Sequence, residues 1–122
     1  MRAEARGDTG MRAERIAADY LVNMGLILLK RNFRAGHREL DLIMMSSDGK
    51  RLHIVEVKSL NEPVCREPYE SVNKRKRRFL ISAASEYLRE NRLNCEVQFD
   101  VVSVTFGVRG ETIRYIPGAF LP

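Results

Sequence analysis

The chain has 122 residues, of which 44% are hydrophobic and 30% are charged, values that are typical of one globular domain and exclude a disordered or collagen-like chain. No apolar run reaches the roughly 20 residues that a membrane-spanning helix needs. The N-terminus also lacks the hydrophobic stretch of a signal peptide. We therefore expect a cytoplasmic protein without a membrane partner, with a mobile tail at residues 1–9 and one domain at residues 10–122.

The balance of charges favours a polyanionic partner. Twenty-one Lys and Arg against 16 Asp and Glu give a net charge of +5, and residues 74–78 are five consecutive basic residues. The residues that we predict to bind nucleic-acid phosphates are Lys74, Arg75, Arg77 and Arg78.

Cysteine and histidine carry no visible chemistry in this sequence. Cys65 and Cys95 are the two cysteines, and they show no metal-ligand spacing. Neither His37 nor His53 has a second histidine or a cysteine at the spacing of a zinc site. We therefore expect free thiols and no zinc.

In the first half of the chain, the pattern predicts one helix and three strands. Apolar residues recur at helical spacing over residues 11–24, and Gly25 follows where a helix commonly ends. A short apolar run predicts a strand at residues 26–30, with a basic turn region after it. Residues 39–45 and 51–59 predict two more strands. The turn sequence Ser-Ser-Asp-Gly between them predicts an antiparallel hairpin.

In the second half, the pattern predicts a loop, a helix and two strands. Residues 60–68 contain two prolines and predict the loop, and residues 69–90 predict the helix. The apolar positions of this helix are Val72, Phe79, Leu80, Ala83, Tyr87 and Leu88, and Lys76 interrupts the same face. Strands are predicted at residues 97–106 and 112–116. The order αβββαββ predicts an α/β fold with a mixed sheet flanked by helices.

Several common enzyme classes are excluded by absent motifs. No glycine-rich phosphate loop precedes either predicted helix, and no G-x-S-x-G elbow occurs. P-loop enzymes and the common serine hydrolases are therefore ruled out.

The predicted hairpin carries a group of charged residues. Side chains two apart on a strand share a face, so Glu56 and Lys58 should lie together while Val57 faces the opposite, apolar side. The turn should bring Asp41 of the partner strand close to Glu56. Two carboxylates and a lysine would then converge in an apolar strand pair, where charges without a partner or a metal are costly. The alternative is an exposed ion pair with no function.

Such a group suits phosphodiester hydrolysis. The carboxylates of Asp41 and Glu56 would bind Mg²⁺ or Mn²⁺, and the backbone carbonyl of Val57 could supply a further ligand. Lys58 could stabilise the transition state, or orient and help deprotonate the attacking water, and the sequence does not separate these two roles.

Five segments of the chain resemble one known family. They are Gly-Met-Arg-Ala-Glu at 10–14, Arg-Glu-Leu-Asp-Leu-Ile at 38–43, Ile-Val-Glu-Val-Lys at 54–58, Val72 followed by Lys76, and Gln-Phe-Asp-Val-Val at 98–102. Together they resemble the YraN family of bacterial proteins, which is related to the Holliday junction resolvases within the PD-(D/E)XK nuclease superfamily. Two glycines of the family motifs are replaced here, by Ala13 and Arg38.

The resemblance implies a restriction-endonuclease-like fold and a role for each matching residue. Asp41 and Glu56 would be metal ligands, Lys58 would be catalytic, and Glu14 and Lys76 would support the site at its rim. For Lys76 the alternative is a surface lysine in a solvated basic run. Asp100, in the last motif, could equally be structural.

We therefore expect a Mg²⁺- or Mn²⁺-dependent endodeoxyribonuclease that acts on branched or junction DNA in repair or recombination. Resolution of a four-way junction requires two active sites, which makes a homodimer plausible. The alternative is a nucleic-acid-binding or scaffolding protein that keeps the nuclease fold without cleavage. RNA is a further candidate substrate.

Overall fold

A computed structural model of the chain describes residues 2–63 and 73–121, with side chains from residue 9 onward. Its elements are α1 (Arg2–Asn23), β1 (Ile27–Ala35), β2 (Arg38–Met45), β3 (Arg51–Asn61), α2 (Lys74–Glu90), β4 (Glu96–Gly107) and β5 (Gly110–Phe120). The order of these elements confirms the α/β fold class that the sequence predicts.

The five strands form one sheet in which they follow the order of the chain. β1 and β2, β2 and β3, and β4 and β5 pair antiparallel, as neighbours joined by short turns can do. β3 and β4 pair parallel, and the crossover connection that a parallel pair needs contains α2. The sheet is therefore mixed, as predicted.

Helix α1 covers one face of this sheet. Its small or apolar residues Ala13, Ala17 and Leu21 recur every four positions and are almost fully buried. They pack in one cluster with Val55 and Val57 of β3. Alanines at this spacing let the helix lie close to the sheet, so the part of α1 from Ala13 to Leu21 packs against the central strands.

Helix α2 covers the opposite face. Its buried residues Leu80, Ala83 and Tyr87 pack in a second cluster with Ile54 of β3 and Phe99 of β4. Since Ile54 faces α2 and Val55 faces α1, the side chains of β3 alternate between two apolar layers, as the period of a strand requires. The central strand is therefore buried on both faces.

The start of α2 differs from the prediction of a helix over residues 69–90. Asn73 is the N-cap residue, with an extended backbone, and its side-chain oxygen accepts the backbone N–H of Lys76 at 2.9 Å. The helix therefore begins at Lys74. Residues 64–72, which include Val72, Cys65 and most of the predicted loop, lie outside the described residues.

The N-terminal elements also extend beyond their predicted bounds. α1 begins at Arg2, so it includes residues 2–9 of the segment that we expected to form a mobile tail. β1 continues to Ala35, which places most of the predicted basic turn region in a strand. Neither described helix has the length and apolarity needed to cross a membrane.

Candidate active site between two diverging strands

The candidate site lies where β2 and β3 separate. Their antiparallel pairing runs from Met45 to Leu42 on β2 and ends where Leu42 faces Val55. One residue further, the Asp41 carboxylate accepts the backbone N–H of Val57 at 2.8 Å. A side chain therefore satisfies a backbone donor of β3, and the carboxylate of Asp41 is held beside the centre of that strand.

Glu56 lies on the α2 face of β3 and contacts two lysines. Its Oε2 atom is 2.7 Å from Nζ of Lys76 and 3.8 Å from Nζ of Lys58. The Glu56 side chain is only 5% exposed, whereas the lysine side chains are 28% and 25% exposed. Glu56 and Lys58 thus share a face, as predicted, and Lys76 joins them from α2.

Burial and neighbouring charges raise the pKa of two other carboxylates near Glu56, those of Asp41 and Glu14. The pKa of Asp41 rises to about 7, first because burial disfavours the charged form and then because the Glu56 carboxylate is near. Burial also raises the pKa of Glu14, with smaller contributions from Glu39 and Glu56. The carboxylates of Asp41, Glu56 and Glu14 therefore lie close enough for their charges to act on one another, and they come from β2, β3 and α1.

The donor set fits a hard divalent cation. Glu56 Oε1 is buried and has no hydrogen-bond partner among the described residues, which leaves a carboxylate lone pair unused in the interior. The Val57 N–H points toward Asp41, and the N–H and C=O of one strand residue point to the same side, so its carbonyl faces the same gap. Two carboxylates, a carbonyl and water suit Mg²⁺ or Mn²⁺.

This donor set is small. Among residues 2–63 and 73–121, no group of three or more His, Cys, Asp and Glu side chains is arranged to hold a single ion. Glu14 is therefore a neighbour of the carboxylate pair rather than a third ligand. Such a sparse protein contribution is typical of Mg²⁺, which keeps several waters and binds through one or two carboxylates together with substrate phosphates.

We use the name α2 basic segment for Lys74, Arg75, Arg77 and Arg78. All four residues are exposed, and the first turn of α2 contains no acidic residue. The N-terminal end of a helix carries a partial positive charge, which is unfavourable beside positive side chains. A bound anion would offset this repulsion. The guanidinium of Arg77 lies 5.3 Å from the centre of the Phe120 ring, so it is directed toward β5. Lys76, within the same run, points to Glu56 instead.

The sequence analysis did not single out Asn32 and Arg31 of β1. The Asn32 side chain hydrogen-bonds Glu14, and the charge of Arg31 stabilises the ionised form of Glu14. Asn32 has a φ of +55°, a conformation that asparagine adopts more readily than most residues. An asparagine inside an otherwise extended segment was the available signal for it.

Asp100 has a structural environment on β4. It is almost fully buried and accepts hydrogen bonds from His53, Gln98 and Tyr115 and from the backbone N–H of Gly118, at 2.8–2.9 Å. These four bonds use the acceptor capacity of the carboxylate and join β3, β4 and β5. The structural interpretation of Asp100 is therefore the one that its contacts support.

We predict that Asp41→Asn stabilises the metal-free protein at pH 8. The carboxyl ionises near 3.8 in the unfolded chain and at about 7 in the folded chain, so folding binds protons between these values and stability falls as the pH rises through them. Each unit of difference between the pKa values of the folded and unfolded chain corresponds to about 1.4 kcal/mol. We therefore expect Asp41→Asn to raise the free energy of unfolding by roughly 2–4 kcal/mol.

Urea unfolding in EDTA at pH 5 and pH 8 measures this effect. The stabilisation by Asp41→Asn should be larger at pH 8, and Asp19→Asn, an exposed carboxylate on α1, should give no such difference. Equal stability of Asp41→Asn and the wild type at both pH values would contradict the raised pKa.

The fold and the site together define an α/β protein with a carboxylate and lysine cluster at the point where two strands of its mixed sheet diverge. The chain belongs to the family described as uncharacterised protein family UPF0102, whose model matches residues 13–104. A UPF0102 protein of Chromohalobacter salexigens is 40% identical over 111 residues, covering 91% of this chain and 89% of the relative. One from Chlorobium chlorochromatii is 37% identical over 119 residues, covering 93% and 91%.

A solved structure of SfsA from Pyrococcus furiosus in complex with Ca²⁺ is also similar to this chain. It is 18% identical, with a TM-score of 0.34, and the match covers 89% of this chain and 62% of that one.

Proposed function

We propose that the protein is a Mg²⁺- or Mn²⁺-dependent endodeoxyribonuclease whose site is formed by Asp41, Glu56 and Lys58. The observation that carries this proposal is the buried Glu56 carboxylate, which has an unused oxygen, lies beside Asp41 and contacts two lysines. A carboxylate pair in this environment is costly for a fold to maintain without a cation. Phosphodiester hydrolysis is the reaction for which such a cluster is suited.

Asp41, Glu56 Oε1 and the Val57 carbonyl would hold the metal, and the metal would polarise the scissile phosphate and lower the pKa of a bound water. Asp41 would have to be ionised to bind the metal. Because its pKa is about 7, the fraction of ionised Asp41 changes strongly around neutral pH. The hydrogen bond from the Val57 N–H orients the Asp41 carboxylate and favours its charged form.

The two lysines have separate tasks in this mechanism. Lys76 forms the closer contact with Glu56 and holds Oε2, which leaves Oε1 oriented for binding. Lys58, at 3.8 Å, is less tightly engaged, and its side chain is partly exposed. Lys58 is therefore the group that stabilises charge developing on the phosphoryl oxygens or orients the attacking water. Glu14 supports the site through its charge and its bond to Asn32.

The α2 basic segment supplies the contacts to DNA. It lies at the same end of α2 as Lys76, which contacts Glu56, so phosphates bound there would lie at the end of the helix that is near the carboxylate pair. Contacts of this type position the backbone and depend strongly on salt, without reading the base sequence. We propose branched or junction DNA in the cytoplasm as the substrate. A homodimer would present the two sites that a four-way junction needs, and analytical ultracentrifugation with and without DNA tests this.

The test is a cleavage assay on a panel of duplex, flap and four-way junction DNA with matched RNA forms. We expect cleavage of DNA with Mg²⁺ or Mn²⁺ and none in EDTA. We also expect the metal alone to raise the melting temperature, because a ligand that binds only the folded state stabilises it. Absence of both metal binding and cleavage across the panel would refute the enzyme proposal.

The second candidate is a non-catalytic nucleic-acid-binding or scaffolding protein that retains this fold. The contact of Lys76 with Glu56 favours it, because an ammonium group already neutralises part of the carboxylate charge. The small set of ligand side chains in the described part of the chain agrees with it. DNA binding that persists in EDTA, with no stabilisation by Mg²⁺ or Mn²⁺ and no cleavage, would establish this alternative.

A further inference from the structure

The turn between β1 and β2 presents an arginine to the first turns of α2. The two strands pair as far as Ala35 and Arg38, so only Gly36 and His37 form the turn. Ala35 packs against the core cluster that α2 forms with the sheet, and its cross-strand partner Arg38 lies on the same face. A two-residue connection leaves the backbone little freedom, so the hairpin fixes where Arg38 begins relative to α2.

The side chain of Arg38 contacts an aromatic ring of α2. Its guanidinium carbon lies over the Phe79 ring, 5.4 Å from the ring centre. Arg38 is exposed, and it forms no ion pair or hydrogen bond with any residue in the ranges 2–63 and 73–121. An arginine held over a ring in this way still has N–H groups with which to bind a phosphate. Those donors are therefore held in one place and are open to an external acceptor.

The contact with Phe79 brings Arg38 beside the α2 basic segment. Residues four positions apart are neighbours on a helix surface, so Arg75 adjoins Phe79 on its N-terminal side. Helix side chains also lean toward the N-terminus, which directs the Phe79 ring toward Arg75. Arg75 is exposed and, like Arg38, has no ion-pair partner in the part of the chain that the structure describes. Two positive charges so arranged repel each other, and a bound anion would offset that repulsion.

Both sides of this contact are close to the candidate site. Arg38 precedes Asp41 by three residues on β2, a separation of about 10 Å along a strand. Phe79 follows Lys76 by three residues on α2, and the Lys76 ammonium contacts Oε2 of Glu56 at 2.7 Å. A phosphate bound by Arg38 would therefore lie near the carboxylates without occupying the metal site. Successive nucleotides of a duplex strand rise about 3.4 Å each, so one DNA strand could reach both places.

We propose that Arg38 and Arg75 form a phosphate-binding site between the turn at residues 36–37 and the first turn of α2, where they hold the DNA backbone beside the catalytic centre. The inference rests on the proposed function in one respect, namely that DNA is the partner. It extends the DNA contacts from the helix to the hairpin that carries Asp41. Phe79 is a positioning residue, since it holds the Arg38 guanidinium. The contacts are to phosphates and so carry no base specificity.

The test measures equilibrium binding of duplex and junction DNA in EDTA, by fluorescence anisotropy over a series of salt concentrations. We expect Arg38→Gln to weaken binding by roughly three- to tenfold at low salt. The slope of log K against log salt should become shallower by about 0.9, the value for one lost phosphate contact. Arg75→Gln should have an effect of the same size. Arg89→Gln is the matched control, because it removes an exposed arginine at the far end of α2, and it should keep the wild-type slope.

Phe79→Leu separates the position of the Arg38 guanidinium from its charge. The variant keeps Arg38 and an apolar side chain on α2 but removes the ring that the guanidinium contacts. We expect it to weaken DNA binding in the wild-type background and to have no further effect in the Arg38→Gln background, as two residues that act through one contact should do. Equal weakening in both backgrounds would contradict the positioning role of Phe79. The melting temperature of each variant shows whether the fold is retained.

An unchanged slope and affinity in Arg38→Gln would overturn the inference, as would equal weakening by Arg89→Gln. Failure of the proposed function gives a different result. In that case the wild type would cleave no DNA with Mg²⁺ or Mn²⁺, while Arg38→Gln would still weaken binding as expected, because binding in EDTA does not depend on catalysis.

Discussion

Glu56→Gln is expected to abolish metal-dependent cleavage while DNA binding in EDTA remains within about twofold of the wild type. The substitution keeps the shape of the side chain but removes the charge that Lys58 and Lys76 share. It also replaces a carboxylate whose Oε1 is free to bind a cation. We expect a loss of at least about 10³-fold in kcat, which corresponds to about 4 kcal/mol of the barrier.

Single-turnover cleavage of the preferred DNA form, with Mg²⁺ and with Mn²⁺, measures this loss. Glu90→Gln is the matched control, since Glu90 is exposed at the far end of α2, and it should cleave like the wild type. Lys58→Gln distinguishes ligation from charge stabilisation: it should reduce cleavage but retain stabilisation of the fold by the metal. Wild-type cleavage by a folded Glu56→Gln protein would show that the site lies elsewhere.

Asp100→Ala is expected to lower the free energy of unfolding by about 3–5 kcal/mol, and it is the largest effect on stability that we predict. Burial alone would raise the pKa of Asp100, but hydrogen bonds from His53, Gly118, Gln98 and Tyr115 lower it overall. The ionised carboxylate is therefore stabilised by the fold. Its contribution is present above the ordinary value of 3.8 and is lost as the pH falls below it.

Urea unfolding at pH 7 measures the change, and it also gives the pH dependence when it is repeated toward pH 3. Asp100→Asn should lose less stability than Asp100→Ala, because its remaining side-chain oxygen still accepts hydrogen bonds. Some stability should still be lost, because the NH₂ group of asparagine faces hydrogen-bond donors. Asp19→Asn, on the exposed side of α1, is the control and should change stability by less than about 0.5 kcal/mol. A change below 1 kcal/mol in Asp100→Ala would contradict the role assigned to this network.

Local regularities of the chain predicted the fold class and the residues on the central hairpin. A strand has a period of two, so the position of Glu56 and Lys58 on one face follows from spacing alone, and the structure has them 3.8 Å apart. The turn at residues 46–49 determines the register of β2 and β3, which brings Asp41 to the level of Val57. Helical periodicity with polar turns likewise predicted the order αβββαββ.

Element boundaries were less accurately predicted. The first turn of α2 contains mainly lysine and arginine, which have no apolar period, and its start at Lys74 depends on the Asn73 side chain. The continuation of β1 to Ala35 depends on pairing with β2. Exposed basic residues form a strand there only when a neighbouring strand supplies hydrogen-bond partners for their backbone N–H and C=O groups. Boundaries of this kind depend on contacts between elements.

The sequence by itself determined which residues carry charge on the central hairpin and which faces of the elements are apolar, because strand and helix periods are properties of neighbouring residues. Tertiary structure alone decided that the Lys76 ammonium would contact Oε2 of Glu56, that Arg31 would lie near Glu14, and that the pKa of Asp41 would rise to about 7. Those outcomes depend on distances between elements and on how completely two helices exclude water from the sheet, and neither quantity is encoded in local spacing.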